Sequence, residues 1–474
     1  MAAAGGEAGS VAGPEEPPAA KVRVDVHEKL GRVLIATKDL SPGEVILVEK
    51  PLLMPAMAVP DEKGQWPGLL NEGARLPPEL QEAMMAVLAF AQASPETKEE
   101  VRKGFYAPRE GGRADEETEQ RASMAARGLK IGGVTVSTED AVTTLLALRY
   151  NSFSYPAVGA DGKPEDTCAI FSLGSKCEHS CFPAAVYKVD APGAAARFVA
   201  VSPIAAGDRI SIGYVDCTMP TALRHRHCWE RFSFVCSCYR CAGDAAGGKA
   251  PPPDASRTVR CWVCGGQLQP LGPGGDCKWH CVGGGEAFSG CGFSWGSEEV
   301  RKHLGGLDDL EESLKVQEEL ARGGLTDLAE VEKWMQRLEA LGKRHWAMRA
   351  LQRRRLGLLL QAPGDLPQGA GQAALDGLLA AVEDGGVGAA TQVAWEGIAL
   401  ATAVRLCRAT VFVQAGTLVA ACLPVLRLVC TKGTGLLDLA ERLEEACRNK
   451  DASILDAKRE EGPAGGRQLF RFLE

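Results

Sequence analysis

The stretch GSKCEHSCFP, Gly174 to Pro183, places Cys177, His179 and Cys181 side by side in the chain. Three readings are open: a thiol nucleophile beside its base, half of a metal site, or a core turn holding reactive residue types. A Cys–His nucleophile needs the imidazole aimed at the sulfur and a third group that orients it. Residues two apart on an extended chain point the same way, but nothing nearby in the sequence supplies an orienter. The cysteines downstream narrow the choice.

Of seventeen cysteines, none precedes Cys168, thirteen fall from Cys168 to Cys291, and four sit among apolar residues from Cys407 on. The last four read as small core residues. With no secretory pattern at the start of the chain, the rest are expected as thiols and not as a disulfide framework. FVCSCYRC gives Cys236, Cys238 and Cys241. This Cys-x-Cys-x-x-Cys spacing gathers three thiolates within one turn and leaves a tetrahedral zinc site one ligand short. Free thiols at that density would be open to oxidation. Cys181 is a candidate fourth ligand by count alone. A second module opens with Cys261-Trp-Val-Cys264-Gly-Gly, a knuckle whose glycines let the backbone turn under a metal. Glycines also flank Cys291, so Cys281 and Cys291 are taken as its closing pair, with Cys277 and His280 as possible substitutes.

Outward from these motifs, Val22, Val24 and Val26 alternate with polar residues as in a half-buried strand. LSPGEVI (40–46) and IAAGDRI (204–210) share a Gly-acid pair between apolar flanks, two short β units separated by a long insertion of about residues 53–136. In the insertion Leu80, Met84, Val87, Leu88 and Ala91 recur at helical spacing, and Ser137 is placed to cap a helix through Asp140. GDAAGGKAPPPDAS (243–256) is a Pro/Gly linker. From Ser297 on the pattern is helical: Leu307, Leu310 and Leu314, then Trp334, Met335 and Leu338, then Leu375, Leu378 and Leu379. These helices suggest a tetratricopeptide-like stack, although no fixed repeat period is present.

The chain has 474 residues, 45% apolar and 24% charged, with a net charge of −8. That length accommodates two or three domains, and that charge argues against general electrostatic binding to nucleic acid. The basic run Lys343 to Arg355 reads as the solvated face of a helix. Residues 1–20 read as a disordered tail that resembles neither a secretory signal nor a transit peptide. The apolar run Ala409 to Leu426 is interrupted by Gly416 and Pro424 and reads as a buried pair of helices, not a membrane span.

With LGRVLIA (30–36), RYNSF (149–153), GSKCEHSCFP, GDRISIGYVD (207–216) and RFSFVCSCYRC (231–241) in order, the chain resembles a SET-domain protein lysine methyltransferase of the SET-and-MYND type. RHWAMRALQRRRLGLLL (344–360) extends the likeness more loosely. The resemblance implies an α+β fold. It comprises a SET-type β-rich domain with a helical insertion and a post-SET zinc cluster (21–243), a small zinc module (257–296) and a C-terminal all-α domain (297–474). It implies that Cys181 joins Cys236, Cys238 and Cys241 on one structural zinc ion, with a second ion on Cys261, Cys264, Cys281 and Cys291. It further implies S-adenosylmethionine beside Gly31, Arg32, Asn151, Glu178 and the His179 backbone, with Phe234 stacked on the adenine and Tyr214 at the methyl-transfer channel. The opening stretch then serves metal and cofactor, and no nucleophile is expected there.

Three departures qualify the implication. The insertion has no cysteines, so the MYND finger is missing from the pattern; Glu178 replaces an asparagine; and Phe232 stands where many relatives have a second channel tyrosine. The implied function is S-adenosylmethionine-dependent methylation of a lysine in a histone or non-histone protein, by a monomer in cytoplasm or nucleus. The competing expectation is a catalytically weak SET fold, braced by zinc, that binds partners through its helices.

Overall fold

The computed structural model describes residues 21–28, 31–109, 114–159, 164–243, 250–272, 274–283, 290–361, 412–430 and 435–455. Residues 1–20, residues 244–249 of the linker and Leu375, Leu378 and Leu379 lie outside them.

Strands β1 (Val22–His27) and β2 (Gly31–Ala36) pair as an antiparallel hairpin. Gly31 enters β2 at φ +71°, a left-handed conformation that side chains resist. β2 buries Val33, Leu34 and Ala36. The half-buried alternation expected of β1 is corrected: Val24 and Val26 are exposed, because β1 is the outer strand of a two-stranded sheet whose core face belongs to β2. The two Gly-acid segments meet each other. Leu40 N donates to Ile204 O at 2.8 Å, and Ile204 N to Leu40 O at 3.0 Å.

β3 (Val45–Glu49), β7 (Ala185–Val189) and β8 (Ala196–Ala200) form an antiparallel sheet in the order β3-β8-β7. β4 (Phe153–Val158) pairs with β5 (Pro164–Ala169), and a parallel pair of two-residue strands joins β6 (Glu178–His179) to β9 (Ser211–Ile212). Their core includes a cluster of Phe153, Phe171, Tyr187 and Phe198, with ring centroids 4.5–6.2 Å apart. Aromatic pairs of this kind add about 0.5–1.5 kcal/mol each beyond their buried area.

The insertion folds as α1 (Pro78–Gln92), α2 (Pro95–Gly104), α3 (Glu116–Ile131) and α4 (Thr138–Asn151) around a separate apolar core. Ser137 caps α4, its hydroxyl accepting from Asp140 N at 3.0 Å. After β9 come α5 (Thr221–Phe232) and the short α6 (Tyr239–Ala242).

β10 (Val259–Arg260), β11 (Gln267–Pro270), β12 (Lys278–Gly283) and β13 (Ser294–Gly296) form a four-stranded meander. Its inner residues Val259, Leu268 and Trp279 share one core with Val300, Val316, Leu338, Trp346 and Leu351 of the helices that follow. The cysteine module and those helices therefore divide by secondary structure and not by packing. The helices are α7 (Ser297–His303), α8 (Asp309–Ala321), α9 (Leu328–Arg337) and α10 (Trp346–Gln361). A fully buried ion pair clamps the two parts: Arg257 reaches Asp309 through Nε at 2.6 Å and Nη2 at 2.9 Å.

The basic run is not a solvated face. His345 and Arg349 are buried, Arg354 donates to Leu325 O and Arg355 pairs with Glu332, so the charges serve contacts inside the helical layer. The apolar run is likewise corrected to one helix, Phe412–Val429, which carries Pro424 internally and packs on a second helix, Gly435–Asn449. No described helix is long and apolar enough to cross a membrane. This pair touches the strand domain, with Leu428 against Gly43 and Lys188 Nζ donating to Cys430 Sγ.

Candidate active site and its cysteine clusters

Four sulfurs meet where the opening stretch crosses the tail of α5. Cys181, Cys236, Cys238 and Cys241 have all their Sγ atoms within 4.8 Å of one another. Cys181 lies 3.8 Å from Cys236 and 3.5 Å from Cys241. A zinc tetrahedron with Zn–S bonds of about 2.3 Å has edges of about 3.8 Å, so the quartet fits a zinc ion. The sulfurs are too far apart for disulfides, whose S–S bond is about 2.05 Å. Arg224, fully buried on α5, donates through Nη2 to Cys241 Sγ at 3.6 Å and partly offsets the charge four thiolates would carry. Ser233, at φ +60°, ends α5 in a left-handed turn that leads Phe234 and then Cys236 back toward β6.

Cys261, Cys264, Cys281 and Cys291 form a second quartet, also within 4.8 Å, with separations of 3.7 Å (Cys261–Cys291) and 3.4 Å (Cys264–Cys281). It fits a zinc ion on the same geometric ground. The possible substitutes stand outside it: His280 bonds Ser294 Oγ, and Cys277 bonds Ser297 through its backbone.

An aromatic group adjoins the first quartet. The Tyr214 ring lies 5.3 Å from His179, 5.1 Å from Phe232 and 6.4 Å from Phe234, and His179 lies 5.8 Å from Phe234. Tyr214 is turned inward against the strand core, and burial pushes its phenol above the ordinary range. Its hydroxyl donates to Cys177 O. The polar atoms of this aromatic group are the Tyr214 hydroxyl and the two His179 ring nitrogens.

His179 has an orienter that sequence distance hides. Tyr214 N donates to its Nδ1 at 3.0 Å, and its Nε2 lies 3.3 Å from Cys181 Sγ. Nδ1 is then an acceptor and Nε2 carries the proton. Burial pushes the imidazole pKa down to about 4, which keeps it neutral near pH 7. Such a ring donates to the sulfur and cannot deprotonate it, so the pair is no nucleophile and base. The peptide groups on either side are paired: Glu178 N donates to Ile210 O and Ser180 N to Ile212 O. Alternation along β6 turns the His179 N–H and C=O to the opposite edge. A donor and an acceptor side by side suit the edge of an adenine.

The remaining expected cofactor residues are linked through the loop before β6. Ser175 Oγ donates to Asn151 O at 2.7 Å. The Asn151 side chain is committed elsewhere: Nδ2 donates to Tyr106 O and Ala147 O, and Oδ1 accepts from Tyr106 N. Asn151 therefore pins the end of the insertion to this loop and retains little side-chain bonding capacity for a cofactor. Lys176 strengthens the junction, 3.5 Å from Glu100 and 4.8 Å above the Phe105 ring. β2, which Gly31 and Arg32 begin, packs against the Gly174–Lys176 turn of this loop. Glu49 accepts from Leu173 N and Gly174 N, both at 2.9 Å. Glu178 pairs with Arg209 at 3.1 Å; burial raises its carboxyl pKa despite that partner.

No family model matches the chain. Short segments are similar to curated proteins. Protein-lysine N-trimethyltransferase SMYD5 of Danio rerio is 36% identical over 75 residues, 15% of this chain and 18% of that protein. SMYD5 of Homo sapiens is 37% identical over 79 residues, 16% of this chain and 19% of that protein. A SET and MYND domain-containing protein of Dictyostelium discoideum is 28% identical over 107 residues, 22% of this chain and 20% of that protein. The matched segments span about a fifth of these relatives' length. The likeness supports kinship with SET-type methyltransferases.

Proposed function

We propose that the chain is an S-adenosylmethionine-dependent protein-lysine N-methyltransferase, with Tyr214 at the transfer channel and two structural zinc ions on the cysteine quartets. The observation that carries this reading is the inward Tyr214 hydroxyl, set among His179, Phe232 and Phe234 directly beside a zinc-sized quartet of thiols. When bound, S-adenosylmethionine supplies an electrophilic methyl group. The chain's residues then have three tasks. The open edge of β6 holds the cofactor's base, with Phe234 as a stacking face. The aromatic wall excludes water and favours a neutral lysine amine, because desolvation disfavours the ammonium form. Tyr214 fixes the channel's polar point: its proton is held by Cys177 O, so its oxygen can still accept from the incoming amine. Aligning the two reactants at near-attack distance supplies about 7–11 kcal/mol of barrier reduction.

A second reading has specific support. Asn151 is bound to Tyr106 and Glu178 to Arg209, and Phe232 brings no hydroxyl, which suits a zinc-braced scaffold that binds protein partners without turnover. Calorimetry of S-adenosylmethionine on the purified chain, followed by labelled-methyl transfer to lysine-bearing proteins, separates the two. The enzyme reading expects saturable cofactor binding and label on lysine. Binding without transfer to any protein tested turns the balance to the scaffold, and no binding removes the enzyme.

A further inference from the structure

We propose that His179 is a positioning residue that bonds the zinc-ligating thiolate of Cys181 on one side and the backbone of Tyr214 on the other. The inference rests on the zinc reading of the first quartet, and its first two measurements do not depend on methyl transfer.

The geometry is specific. Tyr214 N–H points at His179 Nδ1 from 3.0 Å, and only an unprotonated ring nitrogen accepts such a bond. The remaining proton must sit on Nε2, which faces Cys181 Sγ at 3.3 Å. The ring plane is held by Tyr214 on one side and Phe234 on another. Metal-bound thiolates are poor donors and good acceptors, so an N–H directed at the sulfur stabilises it as a ligand. The same ring fixes the chain just after β9, where Gly213 leads into Tyr214. One imidazole thus fixes both the zinc cluster and the residue at the channel. The opening stretch places His179 and Cys181 two apart on extended chain, and the parallel pairing of β6 with β9 delivers Tyr214 from 35 residues away.

Asparagine and glutamine can divide the two bonds. The Oδ1 of His179→Asn reaches the Nδ1 position and keeps an acceptor for Tyr214 N, but lacks the donor to Cys181. The Nε2 of His179→Gln reaches the other end and keeps that donor, but loses the acceptor. Zinc release to a chromogenic chelator and hydrogen exchange of the peptide holding Gly213 and Tyr214 read the two sides separately. His179→Asn is expected to release one of two zinc equivalents about 10–100 times faster than wild type, the range for loss of a group supporting a ligand, with Tyr214 exchange unchanged. His179→Gln is expected to keep both zinc rates and to speed exchange at Tyr214 about tenfold, roughly the loss of one backbone hydrogen bond. In an active chain it also lowers kcat. Wild-type zinc release in His179→Asn overturns the thiolate bond, and wild-type exchange in His179→Gln overturns the Tyr214 bond. A variant that also loses zinc from the second quartet has unfolded, and the other variant then decides.

Discussion

The Tyr214 hydroxyl gives its proton to a buried carbonyl, so removing it has a structural and a chemical effect that need separate measurement. Tyr214→Phe keeps the ring but leaves Cys177 O without its donor, at a stability cost of about 1–3 kcal/mol. A core tyrosine would show that loss and nothing more. A channel tyrosine would in addition lose transfer by about ten- to a thousandfold, roughly 1.4–4 kcal/mol of transition-state stabilisation, with cofactor affinity near normal. Single-turnover methyl transfer beside calorimetry checks this, and transfer at the wild-type rate removes Tyr214 from the mechanism. Phe232, 5.1 Å away, has no hydroxyl to stand in for it. At this scale the sequence was legible where chemistry is set by spacing: Cys236, Cys238 and Cys241 announce an incomplete site by themselves. It was silent on the His179 orienter, because that donor belongs to a backbone brought near by strand pairing. It was equally silent on Asn151, whose amide is taken by Tyr106, 45 residues earlier.

At the scale of elements, the loop before β6 depends on one small residue. Gly174 is buried, and a Cβ there would come within 2.2 Å of Phe198 Cζ, in the centre of the aromatic cluster. The Phe198 ring is fixed by Phe153, Phe171 and Tyr187 and has little room to yield. Gly174→Ala is therefore expected to destabilise the domain by about 1–3 kcal/mol and to weaken S-adenosylmethionine binding, because the displaced loop carries β6. Urea melts and calorimetry check both effects; an alanine protein with wild-type stability would mean the loop shifts freely. Elements with strong period or cap signals, such as α1 and α4, were readable from the sequence. β1 was not, since alternation reports which residues share a face and not whether that face is covered. The Ala409–Leu426 run misled for a related reason: Pro424 was read as a break, and the chain accommodates it within a helix.

For the whole molecule, the decisive contact is the buried pair between Arg257, at the edge of the cysteine module, and Asp309, at the start of α8. Burial alone would raise the Asp309 pKa, but the His345 ring 3.6 Å away and the hydrogen bonds from Arg257 outweigh it and hold the carboxyl below the usual range. Arg257→Met strands that carboxylate and is expected to cost about 3–5 kcal/mol, whereas Arg257→Met with Asp309→Leu should cost much less. The folded pKa is depressed, so the pair's contribution is complete above an unfolded aspartate's pKa of about 3.9 and fades as pH falls through the lower folded value. Stability curves down to pH 2 should therefore fall less steeply in the double variant than in wild type; equal slopes would assign the acid loss to other groups.

The first cysteine quartet also has a history in the making of the chain. Cys181 and Cys241 lie 60 residues apart, which at 5–20 residues per second is about 3–12 s of translation. For that interval the newborn chain carries the first thiol of the quartet without the last, and no four-thiolate site exists to capture metal. If the quartet takes zinc as proposed, loading is a late step of biosynthesis, and a shortage of the metal would act on chains being made before it acted on those already complete.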